Sequence, residues 1–379
     1  MRLPTREEAL HITENSEAFY VTERFVEGQK VEMYDYRLAS LSDFVDNDAF
    51  ELRGLTFVYN EDIQDWDRNI LLNKFFNVGQ TDFWLFDDLK DKKIARVQTK
   101  EDGSIISPVL FSNSITRMKS KMSFDSDQAV LAQKIYEADD DLKMFIGNCF
   151  IYKLTPVFEL VGISNQIVVN YEKDELVLLQ IRDESGRYLT RENMQNFIGD
   201  FDIKITQDFD NLTLDELLKE KETRTDDIEG WVVTFEDGQM AKIKTNKYIQ
   251  KHSLIGPDAF RENLLVKTIL DGNIDDVISA LVEGHKKERI IEIESKVTRK
   301  FNHLVKEFIE LRRKYFQDFK EVRKDFAIKH SKDELFSAVM KTLVDSFGDI
   351  EKTAEEQVKI YILSRTSGLN DAKKFLESI

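Results

Sequence analysis

Between positions 290 and 326, apolar residues recur at steps of three and four: Ile290, Ile293, Val297, Phe301, Leu304, Phe308, Leu311, Tyr315, Phe319, Val322 and Phe326. A stripe with that period is buried by one long amphipathic helix or by a broken pair of helices. Nothing before about residue 255 repeats that way. There the signals have period two or are short β-rich runs, as in Val31-Glu32-Met33-Tyr34-Asp35-Tyr36 and Leu55-Thr56-Phe57-Val58-Tyr59. The change of period falls near Pro257, one of only four prolines. The chain therefore reads as α+β, in two domains: residues 1–254 with strands and helices, and an all-helical domain over residues 255–379.

Charge narrows the function classes. The net charge of −17 argues against a generic nucleic-acid coat protein. Acidic and basic residues balance after residue 255, so the excess negative charge belongs to the first domain. Within the second, residues 286–329 carry 14 basic and 8 acidic residues, a local surplus suited to RNA if the cations cluster. A single cysteine, Cys149, excludes an internal disulfide framework and a cysteine-based zinc site. Five scattered histidines lack metal-ligand spacing. No apolar run approaches the ~18 residues of a membrane span, and the acidic N-terminal segment has no signal-peptide core. The expected location is the cytoplasm, with no membrane partner and a monomeric state.

Along the chain, residues 7–20 predict a helix. Residues 94–97 and 105–111 predict two strands joined by a tight turn at Asp102-Gly103, a hairpin with Lys100 at the end of its first strand. A helix over 126–136 has Ser126 as its N-cap. Strands follow over 157–161, 167–169 and 176–181, then helices over 189–198 and 212–222. Strands over 228–233 and 240–244 close the first domain. Helices are expected over 335–347, 358–363 and 372–376 as well as in the long stripe.

Several residues stand out as chemistry. Lys100 is an amine fixed at a sheet edge, a form enzymes use as a covalent nucleophile; the plain alternative is an exposed hairpin lysine. Arg53 precedes a strand, and Gly54 after it allows close backbone approach. Lys74 sits beside Phe75-Phe76, as a snorkelling cation on core aromatics or as a phosphate ligand. Lys119 and Lys121 share one face if extended, suiting either phosphate or solvent. Glu159 lies within an apolar strand and needs a partner there. Glu229 opens a strand beside Gly230. Lys242 and Lys244 point to one face of another strand, as a pair for a triphosphate or as edge-strand gatekeepers.

Taken in order, the strings Glu51-Leu52-Arg53-Gly54, Lys74-Phe75-Phe76-Asn77, Lys100-Glu101-Asp102-Gly103-Ser104, Phe158-Glu159, Glu229-Gly230-Trp231-Val232 and Lys242-Ile243-Lys244 resemble the covalent nucleotidyltransferase superfamily of ATP-dependent ligases and capping enzymes. The likeness is nearest to the tailed-phage (bacteriophage) RNA ligases that repair broken tRNA. It extends over residues 34–276. Val78 departs from the leucine more usual after the Phe-Phe-Asn string. The resemblance implies a nucleotidyltransferase domain of ATP-grasp-like antiparallel sheets with helices, followed by an all-α domain. It implies that Lys100 attacks the α-phosphate of ATP to form lysyl-AMP. Arg53 and Lys74 would face phosphates, Glu159 the adenosine ribose, and Glu229 the metal and reacting phosphate. Lys242 and Lys244 would neutralise the triphosphate, and Tyr36 would lie near the nucleotide. Asp275 and Asp276 would bind Mg2+, with Mn2+ as an alternative. The partner would be RNA with 5′-phosphate and 3′-hydroxyl ends, with nicked tRNA in a host cytoplasm as the expected case. Alternatives are a DNA ligase or capping enzyme, which usually carries an OB-fold β-barrel where this chain turns helical, and a non-catalytic RNA-binding protein on the same fold.

Overall fold

In a computed structural model, the described residues are 2–210, 212–225, 228–251, 261–280, 285–320, 322–343 and 349–379. The protein is α+β, and among the described residues its strands form three four-stranded sheets. In chain order the strands are β1 (Phe19–Val26), β2 (Gln29–Tyr36), β3 (Leu55–Asn60), β4 (Asp65–Asn69), β5 (Phe76–Asn77), β6 (Ile94–Lys100), β7 (Ser104–Leu110), β8 (Thr116–Lys119), β9 (Leu154–Val161), β10 (Glu175–Asp183), β11 (Gly230–Phe235) and β12 (Met240–Lys244). The sheets run β1-β2-β3-β4, β10-β9-β7-β8 and β5-β12-β11-β6. Pairing among these strands is antiparallel, except that the two-residue β5 lies parallel to β12.

The expected hairpin at Asp102-Gly103 does not form. Strand β6 pairs with β11, whereas β7 pairs with β8 and β9, so the chain crosses between two sheets at this point. The residues that suggest a turn serve the crossing. The Asp102 carboxylate accepts the backbone N–H groups of Val168 and Val169, at 2.8 and 2.7 Å, and the Tyr248 hydroxyl at 2.7 Å. A Cβ on Gly103 would lie 2.1 Å from the Leu160 carbonyl oxygen, so only glycine passes there. The strand expected over 167–169 is likewise absent: that backbone is irregular, and two of its donors serve Asp102.

Other boundaries differ from the sequence expectation. The first helix is Arg6–Asn15, and Phe19 and Tyr20 belong to β1, where Phe19 pairs with Tyr36. Helix Asp127–Ala138 starts at Ser126 as expected, with the Ser126 hydroxyl accepting from Ala129 N. A second helix, Asp140–Ile151, lies outside the sequence expectation. It begins at once because Asp139 caps it, accepting from Leu142 N at 2.9 Å. Leu142, Phe145, Ile146 and Cys149 on this helix join Ile106, Phe158, Leu160 and Leu178 in a buried core against the β10-β9-β7-β8 sheet. Cys149 is thereby a core residue, its thiol pushed above its usual range by burial.

The chain divides into two compact units. One comprises Met1–Glu14, Phe19–Tyr36 and Leu41–Leu254; the other comprises Asn15–Ala18, Arg37–Ser40 and Ile255–Ile379. The segment Arg37–Ser40 is held in the helical unit by specific contacts. Arg37 pairs with Glu351 and Glu355, and Asn302 donates to the Leu38 carbonyl at 2.7 Å. The long apolar stripe resolves into a broken pair, helices His285–Gln317 and Arg323–His330. Nine residues of the stripe, Ile290 to Tyr315 and Phe326, line a core with Phe319 packed against it, completed by helix Ile350–Arg365 through Ala354, Val358 and Ile362; Val322, between the two helices, is exposed. The expected helix over 335–347 runs Phe336–Thr342, and residues 344–347 lie outside the described residues, as does Pro257. No described helix is long and apolar enough to cross a membrane.

Candidate active site

Strands β6, β11 and β12 lie side by side, and their register brings three motif residues together. Gly230 at the start of β11 faces Lys100 on one side and Lys244 on the other. A side chain at Gly230 is excluded: its φ is +156°, and a Cβ would sit 1.9 Å from the Ile243 carbonyl oxygen. Glu229, just before it, reaches both lysines. Its Oε2 accepts from Lys100 Nζ at 2.6 Å, and its Oε1 lies 3.5 Å from Lys244 Nζ. The Glu229 side chain is buried, whereas Lys100 keeps 24% of its side chain exposed, enough for a reactant to reach the amine.

The second sheet supplies Glu159, on β9 opposite Ile105 and Val177. Burial is the main influence on this carboxyl, and Glu229 adds to it. Lys100 and Arg53 oppose them without prevailing, so its pKa is pushed up to about 8. Two carboxylates thus share a site with Lys100, Lys244 and Arg53, and burial keeps one of the carboxyls raised despite these cations.

More cations flank Tyr36. Lys74 Nζ lies 5.2 Å from the Tyr36 ring centroid and 4.9 Å from that of Phe76; Lys121 Nζ lies 5.0 Å from Tyr36. Lys121 also pairs at 2.7 Å with the buried Asp35. Burial alone would raise the Tyr36 phenol, but Lys74, Lys121 and Arg53 outweigh it and bring it down to about 8. Arg53 Nη1 approaches the Leu72 carbonyl at 3.4 Å, from a turn in which Gly54 takes φ +73°.

Some expectations need correction. Lys119 is fully buried and does not share a solvent face with Lys121. Its ammonium donates to the carbonyls of Gly54 (3.0 Å), Ser120 (3.3 Å) and Lys121 (3.3 Å), and burial brings its pKa down to about 7. It braces the turn that presents Arg53. Glu51, from the same string, forms a buried two-point pair with Arg182 at 2.9 and 2.7 Å. Lys242 faces Val232 on one side and Asn77 on the other, so the edge-strand explanation fails for it; Lys244 lies past the two-residue pairing with β5 and faces Gly230. Asp275 and Asp276 open helix Ile274–Ala280 of the helical unit, with Asp276 buried. Among the described residues no cluster of three or more acidic, His or Cys side chains is poised for a metal. The sequence reading missed Asp35, Tyr171 and Tyr248. Tyr171 accepts from Asp102 N at 3.0 Å and donates to Glu101 at 3.1 Å, fixing the residues that follow Lys100. Tyr171 and Tyr248 lie 69 and 146 residues from Asp102, so no local spacing announces them, and Asp35 sits between the tyrosines of Tyr34-Asp35-Tyr36.

A family model described as RNA ligase matches residues 51–248, just over half of the chain and every motif from Glu51 to Lys244. The chain belongs to the RNA ligase family. Among curated relatives, a Thermovibrio ammonificans protein with a provisional RNA ligase name is 26% identical over 251 residues, 63% of each chain; the protein thus spans less than two thirds of that relative's length. Among solved structures, an archaeal ATP-dependent RNA ligase aligns with TM-score 0.47 and 11% identity over 78% of both chains. The Naegleria gruberi RNA ligase solved with pyrophosphate aligns with TM-score 0.35 and 17% identity, over 62% of this chain and 76% of that one. A point variant of the same Naegleria ligase, solved with ATP and Mn, aligns with TM-score 0.36 and 16% identity over 66% and 84% of the two chains.

Proposed function

We propose that the protein is an ATP-dependent RNA ligase that joins a 5′-phosphate to a 3′-hydroxyl in single-stranded RNA. The observation that carries this reading is Glu229 bridging Lys100 and Lys244, with Glu159 and Arg53 beside them. An RNA phosphate is a poor electrophile because hydroxide or oxide must leave; the arrangement supplies a better leaving group in three displacements. Lys100 Nζ, after passing a proton to solvent, attacks the α-phosphorus of ATP. The N–P bond forms, the bond to the β-phosphate oxygen breaks, and pyrophosphate departs past Lys242 and Lys244. The RNA 5′-phosphate then takes the AMP, breaking the N–P bond and restoring the amine. Finally the 3′-hydroxyl attacks the activated phosphate, and AMP leaves. Glu229 orients the lysine, while Arg53 and Lys74 hold phosphate charge; each contributes by positioning and neutralisation.

The donor set fits a divalent cation. Glu159 and Glu229 are hard oxygen donors, and a cation beside them would oppose the burial and the Glu229 charge that raise the Glu159 carboxyl. Mg2+ or Mn2+ held by these carboxylates would offset phosphate charge during the displacements. Asp275 and Asp276 are proposed as a second pair of metal ligands in the helical unit.

For the natural substrate we propose nicked tRNA. Arg299, Lys306 and Arg313 are exposed on helix His285–Gln317 at seven-residue spacing, so they form one row of cations that suits a phosphate backbone. The test of the reaction uses a 5′-labelled, 5′-phosphorylated RNA with ATP and Mg2+. The expected products are adenylylated RNA and then joined RNA. Joining confined to nicked duplex DNA would make the protein a DNA ligase, and an adduct formed with GTP but not ATP would make it a capping-type enzyme. Truncation after Leu254 should lower joining of nicked tRNA more than joining of a plain oligonucleotide; equal retention of both removes the recognition role.

A further inference from the structure

The sheet β1-β2-β3-β4 has one face in the core and one turned away from it. Val26, Val31, Met33 and Val58 point inward and pack with Val109, Phe111 and Phe124. Alternate residues of each strand point the other way. The register carries one row of them straight across the sheet. Phe25 on β1 is opposite Lys30 on β2, and Tyr59 on β3 is opposite Trp66 on β4. Val31 is opposite Val58, so the next step of the same antiparallel register sets Lys30 beside Tyr59. The row reads aromatic, cation, aromatic, aromatic, and spans about 14 Å over three strand spacings.

The side chains meet on that face. The ring centroids of Tyr59 and Trp66 lie 5.2 Å apart, Lys30 Nζ is 5.8 Å from the Trp66 ring, and the Arg6 guanidinium lies over Trp66 at 4.3 Å. In the adjacent row Arg68 on β4 is opposite Phe57; it donates to the carbonyls of Pro4 (3.2 Å) and Glu184 (3.0 Å), neutral partners that leave its charge in place. Glu32 accepts from Arg6 at 2.7 and 2.6 Å and lies 3.2 Å from Lys30, and Glu23 accepts from Lys30 at 3.0 Å. Three cations thus meet two carboxylates, in the domain that carries the chain's excess negative charge. Phe25 is 80% exposed, Arg68 is exposed, and Lys30, Tyr59 and Trp66 are half-buried. Cross-strand aromatic contacts steady a sheet. That accounts for Tyr59 and Trp66, but not for a phenylalanine left in water at the end of the row. Rings interleaved with cations on an open antiparallel sheet suit unpaired nucleotides, whose bases stack on the rings while their phosphates meet the cations.

We propose that this face binds single-stranded RNA, with Phe25 and Trp66 as platforms for bases and Lys30 and Arg68 as phosphate contacts. This rests on the RNA ligase reading above and adds a substrate-binding surface to it. The surface lies on a different sheet from Lys100 and Glu159, and Lys30 is six residues along β2 from Tyr36, about 20 Å of strand. It holds the RNA strand away from the ends being joined.

The test measures binding of a fluorescent oligouridylate to the full-length protein by anisotropy, and separately the yield of covalent adduct with ATP alone. Phe25→Ala should weaken RNA binding roughly 5-fold or more, and Phe25→Trp should restore it. Lys30→Gln should flatten the slope of log affinity against log salt by about 0.7. Adduct yield should stay at the wild-type level in all three variants. Wild-type affinity in Phe25→Ala, or an unchanged salt slope in Lys30→Gln, overturns the proposal. Should adduct yield fall in Phe25→Ala, Phe25→Leu, apolar but with no ring to stack, takes its place. A wild type that neither binds nor joins RNA would instead overturn the ligase reading.

Discussion

Glu159 gives the sharpest thermodynamic test of the site. Its carboxyl has a pKa of about 8 in the folded protein against 4.5 as the ordinary value, so the folded state binds the proton more tightly than the unfolded chain. The sign follows from linkage. Stability attributable to this proton is present in full below about pH 4.5 and is lost as the pH rises to about 8, beyond which the loss is complete. A shift of that size corresponds to about 4 kcal/mol between pH 5 and pH 9. Glu159 keeps part of its side chain in water, which screens the effect, so about 2 to 4 kcal/mol is expected. Glu159→Gln holds the site in its neutral form at every pH. The measurement is the difference in unfolding free energy between Glu159→Gln and wild type, without nucleotide or metal, from pH 5 to pH 9. The difference should climb by that amount in favour of the variant, most steeply between pH 5 and pH 8. Parallel pH profiles for the two proteins would refute the raised Glu159 carboxyl that burial and Glu229 produce.

Three further outcomes are expected. Tyr36, with a pKa of about 8, should ionise in the mildly alkaline range and place a negative charge among Lys74, Lys121 and Arg53; the KM for ATP should then rise roughly 3- to 10-fold above pH 8 in the wild type but not in Tyr36→Phe, read from initial rates of adduct formation. Glu51→Ala should destabilise the protein by about 3 to 5 kcal/mol, measured by denaturant unfolding, because it strands the buried Arg182 guanidinium. Gly230→Ala should abolish adduct formation, because a Cβ there would meet the Ile243 carbonyl and push β11 away from Lys244; an alanine variant with wild-type adduct yield would show that this spacing is not needed.

How much was legible depended on whether a residue's role is local. The strands carrying Glu159, Lys242 and Lys244, and the one that Glu229 immediately precedes, could be read because alternation and β-rich runs are local signals. The long helical stripe could be read because its period persists over about ten turns, and only its break needed the structure. What failed was non-local. A turn string at Asp102-Gly103 looks the same whether the next strand pairs with the previous one or leaves for another sheet. The partners that decide it, Val168, Val169 and Tyr248, lie 66, 67 and 146 residues away. Lys119 misled for the same reason: alternating cations suggest a solvated strand, and nothing near it in sequence announces three carbonyls gathered around its ammonium. Glu51 belongs to a motif string, yet its partner Arg182 comes from β10. Helix Asp140–Ile151 was missed because its apolar run follows the previous helix with only the Asp139 cap between them.

The account's central claim is that Lys100, held in place by Glu229 and supplied with ATP, is the nucleophile. Incubating the protein with α-labelled ATP and Mg2+, then separating it by denaturing electrophoresis, tests this directly. The account predicts a labelled band at the mass of the 44.4 kDa chain for the wild type and none for Lys100→Ala. A labelled adduct of equal intensity on Lys100→Ala would contradict it.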